Sequence, residues 1–370
     1  MHLSITNKQG YTQYLCLLDR GIRVAMKSVI TECKEGDILA EDIINKHGAV
    51  IVAENTVLNG YIINRLSTMG IQEIKILDSC VKTSDQDESI TYLHIKENYG
   101  ESIVGIKSIV NELTAGEPLD EEKVLNISNM VCCKIHDSCE ILRILNEEKG
   151  FDEYTYTHSL NVAFYAMLIG KWLNLDNESI KIVVKAGLLH DIGKTKVPIE
   201  ILNKKSRLSD EEFELIKKHT LYGHGLVKST KHFSEEVCDA VLSHHERMDK
   251  SGYPFGIGGG QISIFAKIIA VADVYDAMTS DRVYKKRATP FEVFEMFKTI
   301  GVKNFDPQIV NTFLMNLSTC YVGSKVLLNT GEIGEIVYIP PQSITEPIIN
   351  IGHDYIDLAQ NREKNILCMM

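Results

Sequence analysis

Five histidines and two aspartates fall where helical segments call for apolar side chains: His158, His190, Asp191, His219, His244, His245 and Asp273. His190 and Asp191 close the run "ESIKIVVKAGLLHD", whose Ile180, Val183, Val184, Gly187 and Leu188 form one stripe at helical spacing. His158 opens the amphipathic run "HSLNVAFYAMLIGKWLNL", and His219 follows Ile216 by three residues. His244 and His245 follow Val241 by three and four, near one helix face. Asp273 interrupts "KIIAVADVYDAM", which has no polar face wide enough to solvate it. A buried carboxylate costs several kcal/mol unless something positive holds it. One buried histidine alone reads as a hydrogen-bonded core residue, but this many candidates spread over five helices point to bound cations. Imidazole and carboxylate donors suit Fe, Mn, Zn or Ni, and the lack of thiolates argues against a closed structural zinc site. An aspartate has two oxygens and can bridge two ions about 3.5–4 Å apart. With Asp191 bridging and His190 on one ion, the water between the ions loses a proton near neutral pH, giving a nucleophile without serine or cysteine.

Around these residues lie groups suited to a phosphate ester. Gly193 is placed to terminate the helix that carries His190. Lys194, three residues after Asp191, can present a point charge to phosphate. Alone it reads as well as a solvated cation near a helix C-terminus, worth about 0.3–1 kcal/mol. The stretch "HHERMDKSGYPFGIGGG" puts Gly252, Tyr253 and Pro254 directly beyond two candidate ligands, where glycine permits close backbone approach and tyrosine offers a ring or hydroxyl. The stretch "DVYDAMTSDRVYKKR" adds Asp276 one turn after Asp273, then Arg282, Lys285, Lys286 and Arg287. Arginine suits bidentate phosphate binding, while Lys286 and Arg287 read equally as a solvated helix end.

The elements that must carry these groups follow from periodicity. The 370-residue chain is long enough for two or three domains, and 44% hydrophobic with 24% charged residues is an ordinary globular composition. A net charge of −11 argues against nonspecific binding to a nucleic-acid polymer or an anionic membrane, so a phosphate substrate needs a local basic pocket. There is no run of about 18 uncharged apolar residues, and the start lacks the basic and apolar regions of a signal peptide, so a cytoplasmic location is expected. Nine cysteines, no CxxC pair and no export signal favour reduced thiols. Residues 1–100 alternate short strands with turns and one helix-like run, "YIINRLSTM", and from Asp78 to Gly100 turn polar, as a linker does. Residues 101–317 are helical almost throughout, with Ser209 and Glu212 set as a capping box. Residues 318–370 return to strands, including the hairpin pattern "LLNTGEIGEIVYI". The predicted architecture is multidomain: a small α+β regulatory or sensory domain, a central all-α domain and a short β appendage.

The helical part resembles the HD-GYP family of cyclic di-GMP phosphodiesterases, within the HD superfamily of metal-dependent phosphohydrolases. The likeness rests on "YTHSLNVA", "HDIGKTKVP", "KKHTLYGHG", "HHERMDKSGYPFG", "AKIIAVADVYDAMTSDRVYKK" and "NFDPQIV", in order from roughly Asp152 to Leu317. The resemblance implies an HD-type helical fold and two divalent transition-metal ions, iron or manganese. His158, His190, Asp191 and Asp273 would hold one ion, and Asp191 would bridge to a second held by His219, His244 and His245. Lys194, Arg282 and Lys285 would contact substrate phosphate, with Gly252, Tyr253 and Pro254 shaping the pocket wall. The implied reaction is attack of a metal-bridging hydroxide on cyclic di-GMP, giving linear pGpG and, with further turnover, GMP. Two positions depart from the family pattern. Tyr154 stands where three-metal members carry Glu, which implies a two-metal site; Lys250 stands where the family usually has Gly.

Two other readings share these residues. One is an HD-type phosphohydrolase of another cyclic dinucleotide or nucleotide; the other is a non-catalytic cyclic di-GMP receptor. The expected partner in each is a cyclic dinucleotide, with a homodimer and diguanylate cyclase-type signalling partners as further expectations.

Overall fold

The computed structural model describes residues 3–6, 12–18, 21–45, 48–54, 56–77, 85–132, 138–147, 154–204, 206–280 and 287–370. The chain forms two compact units, residues 1–89 with 315–370, and residues 90–314.

In the first unit, β1 (Leu3–Thr6), β2 (Thr12–Leu18) and β3 (Gly21–Val29) precede the short pair β4 (Ile43–Ile44) and β5 (Val50–Val52), then α1 (Gly60–Thr68) and β6 (Glu73–Leu77). The first sheet has the antiparallel order β1-β2-β3-β6. After residue 319 come β7 (Lys325–Leu328), β8 (Ile333–Tyr338), β9 (Ile348–Ile351), β10 (Asp354–Asp357) and β11 (Ile366–Met369), in the order β10-β9-β8-β7-β11. The expected hairpin is β7 and β8, with Gly331 at φ 85° in its turn, a conformation open to glycine. The carboxy-terminal strands are not a free appendage. Val337, Tyr338 and Ile348 pack into one core with Leu39, Leu58, Ile62, Leu66 and Ile74. Asn59 joins the two segments, its Oδ1 capping α1 through the Ile62 N–H at 2.9 Å and its Nδ2 donating to the Val337 carbonyl at 2.7 Å.

The helical series begins with α2 (Asp85–Thr114), most of which lies in the second unit, a continuous helix through most of the stretch whose polarity reads as linker. Residues 78–84 lie outside the described set. Then follow α3 (Glu121–Cys132), α4 (Ser138–Glu147), α5 (Tyr154–Trp172), α6 (Asn177–Leu189), α7 (Ile199–Leu202), α8 (Asp210–Lys217), α9 (His219–Ser229), α10 (Glu235–Ser243), α11 (Ile264–Thr279), α12 (Pro290–Lys298) and α13 (Pro307–Thr319). The α5 stretch from Leu160 to Ile169 and the α11 stretch from Ile268 to Ala272 are buried all round, as befits helices apolar on every face. Gly187 lets α6 close on α5, since a Cβ there would sit 2.7 Å from the Ala163 Cα. Among the described residues no helix is long and apolar enough to cross a membrane. Cys139 and Cys320 each belong to a disulfide, in place of the reduced thiols that composition favours, whereas Cys33, Cys132, Cys238 and Cys368 are free. Such pairing follows from spatial approach, which spacing along the chain does not reveal.

Candidate metal centre

Each candidate ligand stands at a helix end or on a buried face, and local geometry aims it. The α6 helix ends at Leu189; His190 keeps helical angles, and Asp191, at φ −99° and ψ 2°, turns the chain into a 3-10 turn over Ile192–Lys196. Gly193 does not end the helix with a left-handed turn. Its role is steric: a Cβ there would lie 1.9 Å from the His219 carbonyl oxygen and 2.4 Å from the Gly223 nitrogen. The turn bearing Asp191 therefore lies directly against the start of α9. The run "SDEEFELIKKHTLYGHGLVKS", one helix by periodicity, breaks at Lys218 into α8 and α9, so that His219 starts a new helix. The capping box at Ser209 and Glu212 opens α8. His244 caps the end of α10 and His245 lies beyond it, so the pair leaves the helix instead of sharing its face.

These residues converge. His219, His244, His245 and Asp191 form one group whose donor atoms lie within 4.8 Å of one another, and His158, His190 and Asp273 form a second. Asp191 stands between them: its Oδ2 is 3.4 Å from His190 Nε2 and 3.6 Å from His158 Nε2, and its Oδ1 is 3.4 Å from His219 Nε2. Asp273 Oδ1 lies 3.2 Å from His158 Nε2 and 4.0 Å from His190 Nε2.

Hydrogen bonding leaves a surplus of lone pairs. The Nδ1 atoms of His190, His219 and His244 donate to the carbonyls of Gly187, Ile216 and Val241, each three residues back, at 2.8, 2.6 and 2.8 Å. A neutral imidazole protonated at Nδ1 presents a bare Nε2. Burial, with His245 and His190 nearby, holds His244 neutral far below its ordinary range; burial also lowers His219 and pushes His245 down to about 3. Yet His219 Nε2 and His244 Nε2 face each other at 3.4 Å, and His190 Nε2 and Asp191 Oδ1 are buried without a hydrogen bond. Two facing lone pairs beside a carboxylate oxygen need a cation between them, so the residues present fit a divalent metal. Burial opposes charge on Asp191 and Asp273, but Lys194 and His190 for the first, and His158 for the second, keep both well below the usual carboxylate range. For His158 burial opposes protonation, and hydrogen bonds donated by the ring to Asp273 and Asp276 overcome it, lifting the ring to about 9.

The expected substrate side divides. Lys194 Nζ lies 2.5 Å from Asp191 Oδ2 and is about one-third exposed. Tyr253 stacks on His245, ring centroids 4.6 Å apart at 26°, and its peptide bond to Pro254 is cis. Gly252 lets this loop lie on the backbone of His245 and Arg247, where a Cβ would come within 2.5 Å of three backbone atoms. Lys250 has φ 71°, the left-handed conformation that explains glycine at this position in the family pattern. Asp276 departs from the expectation: wholly buried on the same face of α11 as Asp273, it hydrogen-bonds His158 and does not face a substrate. Arg282 and Lys285 lie outside the described residues, as does the Tyr154 side chain.

Three supporting residues escape sequence reasoning. Glu246, 2% exposed, accepts the backbone N–H groups of Phe255, Gly256 and Ile257 at 2.7, 3.1 and 3.1 Å and ties down the Tyr253 loop. Asn161 and Tyr99 meet behind His158, the Tyr99 hydroxyl donating to Asn161 Oδ1 at 2.7 Å. Asn161 sits one turn after His158, a spacing that could have flagged it; nothing local marks Tyr99 or Glu246.

The family model described as HD domain matches residues 141–309. A cyclic di-GMP phosphodiesterase of Pseudomonas aeruginosa is 35% identical over 247 residues, 66% of this chain and 59% of its own length. One from Thermotoga maritima is 36% identical over 176 residues, 47% of each chain. A 3'3'-cGAMP-specific phosphodiesterase of Vibrio cholerae is 33% identical over 171 residues, 46% of this chain and 39% of that protein. This chain thus spans about three-fifths or less of the length of these curated relatives. The family model, taken with the His and Asp cluster, identifies residues 141–309 as an HD domain, a divalent-metal-binding phosphohydrolase fold.

Proposed function

We propose that this chain hydrolyses one phosphodiester bond of cyclic di-GMP to linear pGpG, with two divalent ions, iron or manganese, at the centre. His219, His244, His245 and Asp191 would hold one ion, and His158, His190 and Asp273, with Asp191 shared, would hold the other. Bound there, the ions polarise the phosphate and lower the pKa of water enough to supply a nucleophile at neutral pH.

The protein's own groups do the rest. Asp191 offers one oxygen to each ligand group and so fixes their separation. Lys194 neutralises Asp191 in the metal-free centre; with cations taking over that task, its partly exposed ammonium is free to turn toward a substrate phosphate. Tyr253 walls the second ligand group, and burial raises its hydroxyl above the usual range, so it stays protonated and able to donate. Arg282 and Lys285 are proposed as further phosphate contacts.

The observation that carries the reading is the pair of facing, unprotonated nitrogens of His219 and His244 beside an aspartate shared by two ligand groups. The test is product analysis with Mn-loaded full chain on cyclic di-GMP, beside Asp191→Ala and with 3'3'-cGAMP as competing substrate. We expect pGpG from the unaltered chain and less than about one hundredth of that rate from Asp191→Ala, since substitutions one shell out already cost 10–100-fold. Binding of cyclic di-GMP without turnover, or turnover of 3'3'-cGAMP alone, would overturn it.

A further inference from the structure

His158 is oriented differently from the other ligands whose Nδ1 bonds are described above. Their rings are held by the carbonyl one turn back on their own chain, so any folded helix end aims them. His158 Nδ1 is held instead by Asp276 Oδ2 on α11, at 2.8 Å. Asp276 is in turn fixed by Asn161 Nδ2 on α5, which donates to its Oδ1 at 2.9 Å, and by the Ser280 hydroxyl at 3.2 Å. Asn161 Oδ1 accepts the Tyr99 hydroxyl of α2 at 2.7 Å. Tyr99 is 1% exposed, Asn161 1%, Asp276 0% and His158 5%, so the chain runs through the interior away from water.

Direction matters along this chain. The Asp276 carboxylate, which can only accept, draws the Asn161 amide hydrogens toward itself, and the Tyr99 hydroxyl, donating to the Asn161 oxygen on the other side, holds the side chain in that orientation. The Asp276 carboxylate then accepts the hydrogen bond of the His158 Nδ1–H, so that Nε2, directed at Asp273 and Asp191, is the nitrogen that would be given up to a metal. A carboxylate on the far nitrogen also makes an imidazole a more basic ligand.

We propose that Tyr99 is a positioning residue for the metal site of His158, His190 and Asp273, acting through Asn161 and Asp276 and so making α2 part of that site's construction. The inference deepens the proposed function, since it rests on that group holding a metal. It assigns α2, the helix that leads from the amino-terminal segment into the helical unit, an influence on one of the two ligand groups and not on the other. In the other group, the rings of His219 and His244 are fixed by carbonyls on their own chain, and among the described residues no such link is seen for them.

The test uses full-length protein stripped of metal and titrated calorimetrically with Mn²⁺ alone, comparing the unaltered chain with Tyr99→Phe and Asp276→Asn. Tyr99→Phe removes one hydroxyl and leaves Asn161 free to turn; it should weaken one Mn²⁺ site about three- to ten-fold and spare the other, a smaller effect than the 10–100-fold expected one bond nearer at Asp276→Asn. Thermal unfolding of the metal-free proteins separates a purely structural role, which would lower the melting temperature and leave the Mn²⁺ isotherm unchanged. An unchanged isotherm in Tyr99→Phe, or equal weakening of both sites, would overturn the inference. Failure of the unaltered chain to take up Mn²⁺ would instead overturn the proposed function and this inference together, while an altered isotherm without phosphodiesterase activity would leave the inference standing and the substrate reading lost.

Discussion

At the scale of single residues, backbone space decides as much as side-chain chemistry. Gly193 has no room for even a methyl group, because the His219 carbonyl and Gly223 nitrogen occupy that position. Gly193→Ala would therefore push the turn of Asp191 off α9. We expect a stability loss of about 1–3 kcal/mol in chemical unfolding, as for other forced overpacking, together with lower Mn content in the purified protein. Lys250 carries the opposite sign. Left-handed backbone costs a residue with a Cβ about 1–2 kcal/mol, and glycine's greater loss of freedom on folding offsets part of that, about 0.5–1 kcal/mol. Lys250→Gly should accordingly stabilise the folded chain by up to about 1 kcal/mol, read as a rise in the denaturation midpoint; a fall would show that the side chain's packing beside Gly258 outweighs the strain.

At the scale of elements, the site depends on where helices stop. His190, His219, His244 and His245 all stand at or just past a helix terminus, and an interrupted run lets a side chain leave the face that periodicity assigns to it. In the loop after His245 the buried carboxylate of Glu246 accepts three backbone N–H groups, beside the backbone bond from Tyr253 to the His245 carbonyl. An amide in its place keeps the shape but has one accepting oxygen and adds two donors. Glu246→Gln is expected to cost about 1–3 kcal/mol, the penalty of leaving buried donors unpaired, and to speed hydrogen exchange at Phe255, Gly256 and Ile257. Exchange unchanged at those amides would mean that the loop is anchored by other contacts. Much at this scale was legible in the sequence: the capping box at Ser209, the buried run of α5 and the hairpin of β7 and β8 all follow local rules. The break at Lys218 was not, since no proline or left-handed residue announces it. The helix over Asp85–Gly100 was also missed, because its polar composition resembles a linker when nothing shows which face packs.

At the scale of the whole molecule, the two ends of the chain share one core. Val337, Tyr338 and Ile348 cover Ile62, Leu66 and Ile74, and Asn59 bonds directly to the Val337 carbonyl. A chain cut after Thr319 should expose this core, so limited proteolysis within residues 21–77 should accelerate while the helical unit stays protected. Equal cleavage rates in cut and uncut chains would mean that the amino-terminal segment holds itself together. The net charge of −11 also acts at this scale: an anionic substrate, as proposed, would meet a repulsive overall field, so a local cation such as Lys194 would have to offset it.

The sequence by itself determined which residue types could bind metal and which helices would bear them, because an imidazole or carboxylate set in an apolar run violates burial rules wherever the chain goes. It also determined the alternation of strand-rich and helix-rich regions, since periods of two and 3.6 are local properties. Only the tertiary structure decided that Asp191 lies between two ligand groups, that Asp276 backs His158 instead of facing substrate, and that Tyr99 reaches Asn161 across 62 residues of chain. Those are matters of distance between segments remote in sequence, and such distances are set by packing, which no local pattern encodes.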